Sequence, residues 1–361
     1  MSHEVYKQLR QLLDRYPTGC PDAPEIIEIL KIFFTEEEAE VALGLGFRPF
    51  NVEDIARRAG VEEDEASKHL ESLADKGVVY AREKEGSWGY SLLPVMPGMF
   101  EFPYMKGVHD ETIEKLTPLW KKYLPKLGQG FGAPGVAFTR IVPIQEEVDS
   151  EPGILLYEKV YEMIDNARAV GIAHCACREL EQACDAPREA CMVFDDTCNF
   201  LVDRGFARHL TKEEMKEKLR EFDEAGLVHQ VNNAQDRLAL ICNCCSCCCE
   251  LLRVYTEYGN PNVLATSGFL PVNDPELCTG CAVCADDRCP MQAIEIVDEV
   301  AVVDIQSCIG CGLCATGCPE GAMRMERREE YAEPPETTAE MGIKILTEKG
   351  KLEDFMQSMK P

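Results

Sequence analysis

Basic residues are scarce in this chain of 361 residues: 37 Lys and Arg stand against 64 Asp and Glu, leaving a formal charge of −27. So acidic a surface repels phosphate backbones and anionic membranes over a Debye length, which argues against nucleic-acid partners. No apolar run approaches the roughly 18 residues needed to cross a bilayer, so no membrane insertion is expected. The opening Met1-Ser2-His3-Glu4-Val5-Tyr6-Lys7 lacks a basic segment followed by an apolar one, so no secretory leader is expected. There is no dinucleotide fingerprint, which would place any flavin or nicotinamide on another subunit. The segment Gly128-Gln-Gly-Phe-Gly-Ala-Pro-Gly135 has the glycines of a phosphate cradle without a Gly-Lys-Ser/Thr ending, and reads as a flexible loop.

Cysteine, in contrast, is abundant, with 20 residues. A cytoplasmic chain keeps its thiols reduced, so this density points to metal rather than to disulfides. Two ladders stand near the C-terminus, Cys278-x2-Cys281-x2-Cys284-x4-Cys289-Pro290 and Cys308-x2-Cys311-x2-Cys314-x3-Cys318-Pro319. Cysteines at two-residue intervals wrap a tight loop, so that three thiolates converge while backbone N–H groups point at the sulfurs. Structural zinc favours two Cys-x2-Cys pairs and fits poorly with two runs that end in Cys-Pro.

The ladders resemble those of the bacterial dicluster ferredoxins, which carry two [4Fe–4S] cubanes on one pseudo-symmetric module. In that pattern the fourth cysteine of each ladder ligates the other cluster. The resemblance therefore implies Cys278, Cys281, Cys284 and Cys318 on one cubane, and Cys289, Cys308, Cys311 and Cys314 on the second. The first ladder departs from the pattern by one residue, with Ala285-Asp286-Asp287-Arg288 before its last cysteine, an expansion that a surface loop can absorb. Between the ladders, Ala293 to Val297 and Val300 to Val303 read as a hairpin turning at Asp298-Glu299.

Residues 25–92 resemble a winged helix-turn-helix. Asn51 caps a helix over Val52 to Ala59, Gly60 turns, a second helix runs from Glu62 to Lys76, and Val78 to Leu92 forms a hairpin with its tip at Glu85-Gly86. The second helix carries Glu62, Glu63, Asp64, Glu65, Glu71 and Asp75 against Lys68 and Lys76. Phosphate binding needs Lys and Arg, so the module reads as a docking or homodimer contact rather than a DNA reader.

A second cysteine constellation lies between these regions. After a helix expected near Ile154 to Val170 come Cys175, Cys177, Cys184 and Cys191; Cys242, Cys244, Cys245, Cys247, Cys248 and Cys249 follow later. Six cysteines in eight positions exceed what packing explains. They fall between an apolar strand, Leu238 to Ile241, and a helix from Cys249 to Tyr255, with Ser246 as the expected cap. One or more further iron–sulfur clusters are expected here; zinc or a redox-active disulfide relay remains the alternative. His174, His229 and Arg178 are candidates to tune the site. Cys198 reads as merely buried in a helix, and Cys20 as an unliganded loop cysteine. Thr211-x-x-Glu214 opens a helix through Ala225 as a capping box. The segment is similar to cysteine-rich regions fused upstream of ferredoxin modules in anaerobe proteins.

The expected architecture is α+β: a winged-helix-like domain over 1–92, a connecting region over 93–150, a cysteine-rich iron–sulfur domain over 151–268, a dicluster ferredoxin domain over 269–327 and a helical tail over 328–361. The functional expectation is a cytoplasmic electron carrier serving a redox partner protein or oxidoreductase subunits. An oxidoreductase with a catalytic middle cluster, and a redox-sensing regulator, are the competing readings.

Overall fold

The computed structural model describes residues 2–144, 148 and 158–359. Its N-terminal helices follow the apolar spacing of the sequence. The helix Ser2–Asp14 buries Leu9 and Leu13, and Pro24–Phe33, with proline in its first turn, buries Ile26, Ile29, Leu30 and Phe33. A reciprocal cap, Thr35 with Glu38, starts Glu36–Ala42. Asn51 accepts the Asp54 N–H to start Val52–Ala59, and Gly60 ends it in the left-handed conformation. The helix Glu63–Asp75 leads into a hairpin of β1 (Val79–Lys84) and β2 (Ser87–Leu92), which turns at Glu85-Gly86.

In the stretch expected to be a connector, the described residues 93–144 carry much of the core. The helix Glu111–Gly128 buries Leu116, Trp120, Tyr123, Leu124 and Leu127. One continuous apolar cluster runs from Tyr6 and Ile29 through Trp120 to Leu252 and Val254, so the N-terminal and middle regions share a core. The loop after that helix is pinned rather than free. The Asn260 amide donates to the carbonyls of Gly128 (3.0 Å) and Phe131 (3.1 Å), and Lys349 reaches the Gly130 carbonyl. Gly132 takes a φ of +64° with the Asn262 carbonyl where a Cβ would stand, so no other residue fits there.

The middle region is built on a seven-stranded sheet of β3 (Thr139–Ile141), β4 (Val170–His174), β5 (Glu189–Phe194), β6 (Arg208–His209), β7 (Val228–Asn232), β8 (Leu240–Cys244) and β9 (Leu264–Ala265). The order is β6-β4-β5-β8-β7-β3-β9, antiparallel throughout except for β3 beside β9. Val160–Asn166 and the capped helix Lys212–Glu224 cover it, with Ile164, Leu219 and Phe222 against Ile172, Met192 and Ile241. The helix expected near Ile154 to Val170 is thus shorter. Residues 154–157 lie outside the described residues, and Val170 pairs with Phe194 as the first residue of β4.

In the C-terminal region, β10 (Phe269–Asn273) pairs with β13 (Met323–Arg327), and β11 (Ile294–Val297) with β12 (Val300–Val303). Asp298 and Glu299 both have positive φ, 49° and 65°, the backbone that a two-residue hairpin demands. The final helices, Thr338–Glu348 and Leu352–Ser358, return to the N-terminal region. There Phe355 packs edge-on against Phe47 at 5.4 Å, and Lys351 bonds Asp14 at 2.9 Å. The fold is mixed α+β. Among the described residues no helix is long and apolar enough to cross a membrane.

Candidate metal centres

The two ladders interlock. Cys278, Cys281, Cys284 and Cys318 line one cavity, with Ile296, Ala301 and Met323 as apolar walls. Cys289, Cys308, Cys311 and Cys314 line a second, closed by Pro271, Ile294 and Ile309. Backbone amides aim at the sulfurs: Ala293 N–H reaches Cys289 Sγ at 3.2 Å, Gly310 reaches Cys308 at 3.4 Å, and Ala301 reaches Cys278 at 3.5 Å. Four converging thiols with N–H donors and apolar walls suit an anionic iron–sulfur cubane. The Ala301 amide lowers the Cys278 thiol, whereas burial raises Cys311 to about 12. A bound metal reverses that penalty by taking the thiolate.

The extra residue of the first ladder is absorbed as a π-type turn over Cys284–Arg288, where the second ladder has a short α-helix, Leu313–Thr316. That turn aims Arg288 at the middle region. Its guanidinium donates to the carbonyls of Leu313, Glu224 and Asp223, each at 2.9 Å, and to Thr316 Oγ1 at 2.8 Å. The Asp223 carboxylate stands 3.4 Å from Arg288 and 3.8 Å from His229 Nε2. His229 Nδ1 bonds Asn243 Oδ1 at 2.7 Å. Burial lowers the His229 pKa, which keeps the ring neutral in this buried row. Sequence reading named Arg288 only as loop filler and missed Asp223 and Asn243. The signal was adjacency: Arg288 precedes Cys289, and Asn243 sits between Cys242 and Cys244.

The middle cysteines separate into two groups. Six thiols, those of Cys175, Cys177, Cys191, Cys242, Cys244 and Cys249, line one pocket together with Met96, Glu101, Met105 and Leu251, and Cys245 of the second group reaches its wall. Cys242 and Cys244 alternate along β8 and so share a face, while Asn243 points the other way. Contacts among these thiols lower the pKa values of Cys175, Cys242 and Cys249 and raise those of Cys177, Cys191 and Cys244. Burial raises Glu101 to about 8, and the neighbouring Cys242 and Cys175 add to that rise. The other group is Cys184, Cys245, Cys247 and Cys248, gathered at the rim.

Of the proposed tuning residues, Arg178 lies between the two groups. It is fully buried, donates to the carbonyls of Pro187 (2.7 Å) and Asn243, and keeps its charge beside Cys175 and Cys245. His174 is tied to Glu179 at 2.9 Å, which also holds His109 at 2.7 Å, so His174 is not part of the pocket wall. Ser246 is not the helix cap. Cys249 occupies that position for Glu250–Thr256, without a side-chain capping hydrogen bond. Cys198 is buried in the helix Asp195–Asp203, and Cys20 is buried beside the Tyr123 hydroxyl, which donates to it at 3.5 Å.

Residues 270–327 match the family model described as a 4Fe-4S dicluster domain. An uncharacterized ferredoxin of Methanocaldococcus jannaschii is 43% identical over 56 residues, which are 15% of this chain and 89% of that protein. Through this region the chain belongs to the dicluster 4Fe-4S ferredoxins. Its ferredoxin domain carries two [4Fe–4S] clusters and transfers electrons. The pyruvate synthase subunit PorD of Methanothermobacter marburgensis is 36% identical over 62 residues, 17% of this chain and 70% of PorD. An uncharacterized protein of Methanothermobacter thermautotrophicus is 49% identical over 75 residues, 20% of this chain. The chain spans only 16% of that protein, and 54% and 50% of two further M. jannaschii ferredoxins. No solved structure matches the chain.

Proposed function

We propose that the chain is an electron-transfer subunit of a cytoplasmic oxidoreductase system, in which the ferredoxin domain exchanges electrons with a third iron–sulfur centre in the six-thiol pocket. Cys278, Cys281, Cys284 and Cys318 hold one ferredoxin cubane, and Cys289, Cys308, Cys311 and Cys314 the other. Bound there, the clusters supply one-electron redox chemistry. The observation that carries the reading is the buried row of Arg288, Asp223, His229 and Asn243. It begins beside Cys289 and ends between Cys242 and Cys244, joining the two sites by contacts of 3.4, 3.8 and 2.7 Å. The chain fixes the relative position of the two sites through this row.

The relatives support an oxidoreductase partner: one is named a pyruvate synthase subunit and another an NADH-dependent phenylglyoxylate dehydrogenase subunit of Aromatoleum evansii. The N-terminal module, of winged-helix type, serves docking rather than DNA reading. Its helix Glu63–Asp75 already engages the middle region, with Arg204 bonding Glu71 (2.9 Å) and Asp75 (2.6 Å).

A specific observation favours a second reading, in which the middle site is catalytic. Six thiols exceed the four that a cubane takes, and protonated Glu101 lies against them. EPR of the reduced, anaerobically purified Cys242→Ser and Cys249→Ser variants tests the main reading. One centre should disappear, about four irons should be lost, and both ferredoxin signals should remain. Unchanged iron in both variants refutes a third cluster. Substrate-dependent turnover with an artificial electron donor would decide for the catalytic reading.

A further inference from the structure

The rim group differs from every other cysteine set in the molecule by its spacing. Cys184 Sγ is 3.7 Å from both Cys245 Sγ and Cys248 Sγ, Cys247 and Cys248 are 3.8 Å apart, and all four sulfurs lie within 4.8 Å of one another. Four sulfurs bonded at about 2.3 Å to a single tetrahedral ion form a tetrahedron with edges of about 3.8 Å. The thiolates of a cubane bind four different irons and stand roughly 6 Å apart. Among the described residues, only this group brings three or more potential ligand atoms so close together; the ladder cysteines around the two ferredoxin cavities do not. The rim spacing therefore fits one ion and is too tight for a cluster.

We propose that Cys184, Cys245, Cys247 and Cys248 bind a single zinc ion in a closed tetrahedral four-thiolate site, which adjoins the six-thiol pocket at Cys245. Four soft thiolates in tetrahedral array select zinc among common divalent ions. The surroundings suit a metal thiolate. The buried Arg178 guanidinium beside Cys245 offsets part of the excess negative charge of four thiolates around one divalent ion. With four protein ligands no coordination position is left for substrate, so the ion is structural.

Its place in the chain gives it a task. Cys184 follows the helix Ala176–Glu181, and Cys245 to Cys248 form the turn after β8, so the ion joins two loops 61 residues apart. Cys244 and Cys249, which line the six-thiol pocket, directly flank that turn. The zinc site thus holds the turn that presents two pocket thiols. The inference stands independently of what the pocket holds, because zinc and iron are counted separately.

The test is metal analysis of the full chain purified without oxygen, combined with zinc-edge X-ray absorption. One zinc per chain with four sulfur neighbours at about 2.3 Å is expected. Cys247→Ser, at the exposed corner, should lose that zinc to a chelator far faster than the parent while its iron content holds. Cobalt substitution provides a readout that needs no variant: the parent should show the intense visible bands of tetrahedral cobalt thiolate. Parent protein without zinc overturns the proposal. So does a Cys247→Ser variant that loses iron instead of zinc, or recovery of these cysteines as a disulfide.

Discussion

Replacing Arg288 by alanine tests the junction between the ferredoxin domain and the middle region. The side chain is 12% exposed and its partner carboxylate, Asp223, 4%. Arg288→Ala removes four hydrogen bonds to carbonyl and hydroxyl oxygens and a fifth to the Asp223 carboxylate, and leaves that buried carboxylate facing the neutral His229. Breaking a buried ion pair by removing one partner costs about 3–5 kcal/mol, and the partial exposure of Arg288 argues for the lower end. At about 1.4 kcal/mol per decade, ~3 kcal/mol is roughly a hundredfold increase in local opening. Anaerobic hydrogen exchange read by mass spectrometry should therefore show amides of the helix Lys212–Glu224 and of β7 exchanging up to a hundredfold faster. Amides of β1 and β2 should be unchanged. Arg288→Lys should fall between, since an ammonium cannot reach all these acceptors in the planar geometry of arginine. Iron content measured in parallel separates loss of the junction from loss of the neighbouring Cys289 cluster. If protection in Lys212–Glu224 stays within about threefold of the parent, the junction does not hold the two regions together.

Two further outcomes follow from buried groups. Burial opposes the charge on Glu38, but Lys76 at 2.5 Å, the Thr35 N–H at 2.9 Å and the Ser72 hydroxyl at 2.8 Å outweigh it and hold its pKa below the ordinary carboxylate value. A depressed carboxylate stabilises the fold above its unfolded pKa of about 4.3 and loses that contribution as pH falls through the folded value. Protection of Glu36–Ala42 should therefore drop on acidification below about pH 4.3, and Lys76→Met should shrink the drop; protection that rises in acid contradicts the pairing. Cys20 and Cys198, whose thiols burial raises to about 12 and about 11, should resist iodoacetamide in the native protein and react once it unfolds. Peptide mapping that finds either alkylated in the native state would contradict their burial.

The parts of this structure that could be read from sequence are those set by neighbours in the chain. Asn51, Gly60 and the Thr211–Glu214 box mark helix ends because a cap acts within four residues. Asp298-Glu299 marks a hairpin because two residues decide its turn. The ladder spacing announces clusters because three ligands of each come from one loop. The order of the central sheet was not legible, since β5 pairs with β8 and β3 with β9 across long separations that no local pattern encodes. The grouping of the middle cysteines was not legible for a related reason. Cys244 and Cys245 are adjacent and both touch the pocket, yet only Cys245 joins the rim group, because the strand ends between them. The helix Glu111–Gly128 contains Pro118 and Pro125, and its apolar face, anchored by Trp120 and Tyr123, offsets their cost.

The central claim is a chain of iron–sulfur centres running from the ferredoxin domain into the middle region. Its most direct test is iron and sulfide quantification of oxygen-free protein, with EPR of the reduced state. The account predicts roughly twelve or more irons with matching sulfide, and interacting signals from the ferredoxin pair accompanied by a further centre. About eight irons would confine the redox chemistry to the ferredoxin domain and contradict the extended chain. Colourless protein containing zinc in place of iron would contradict it altogether.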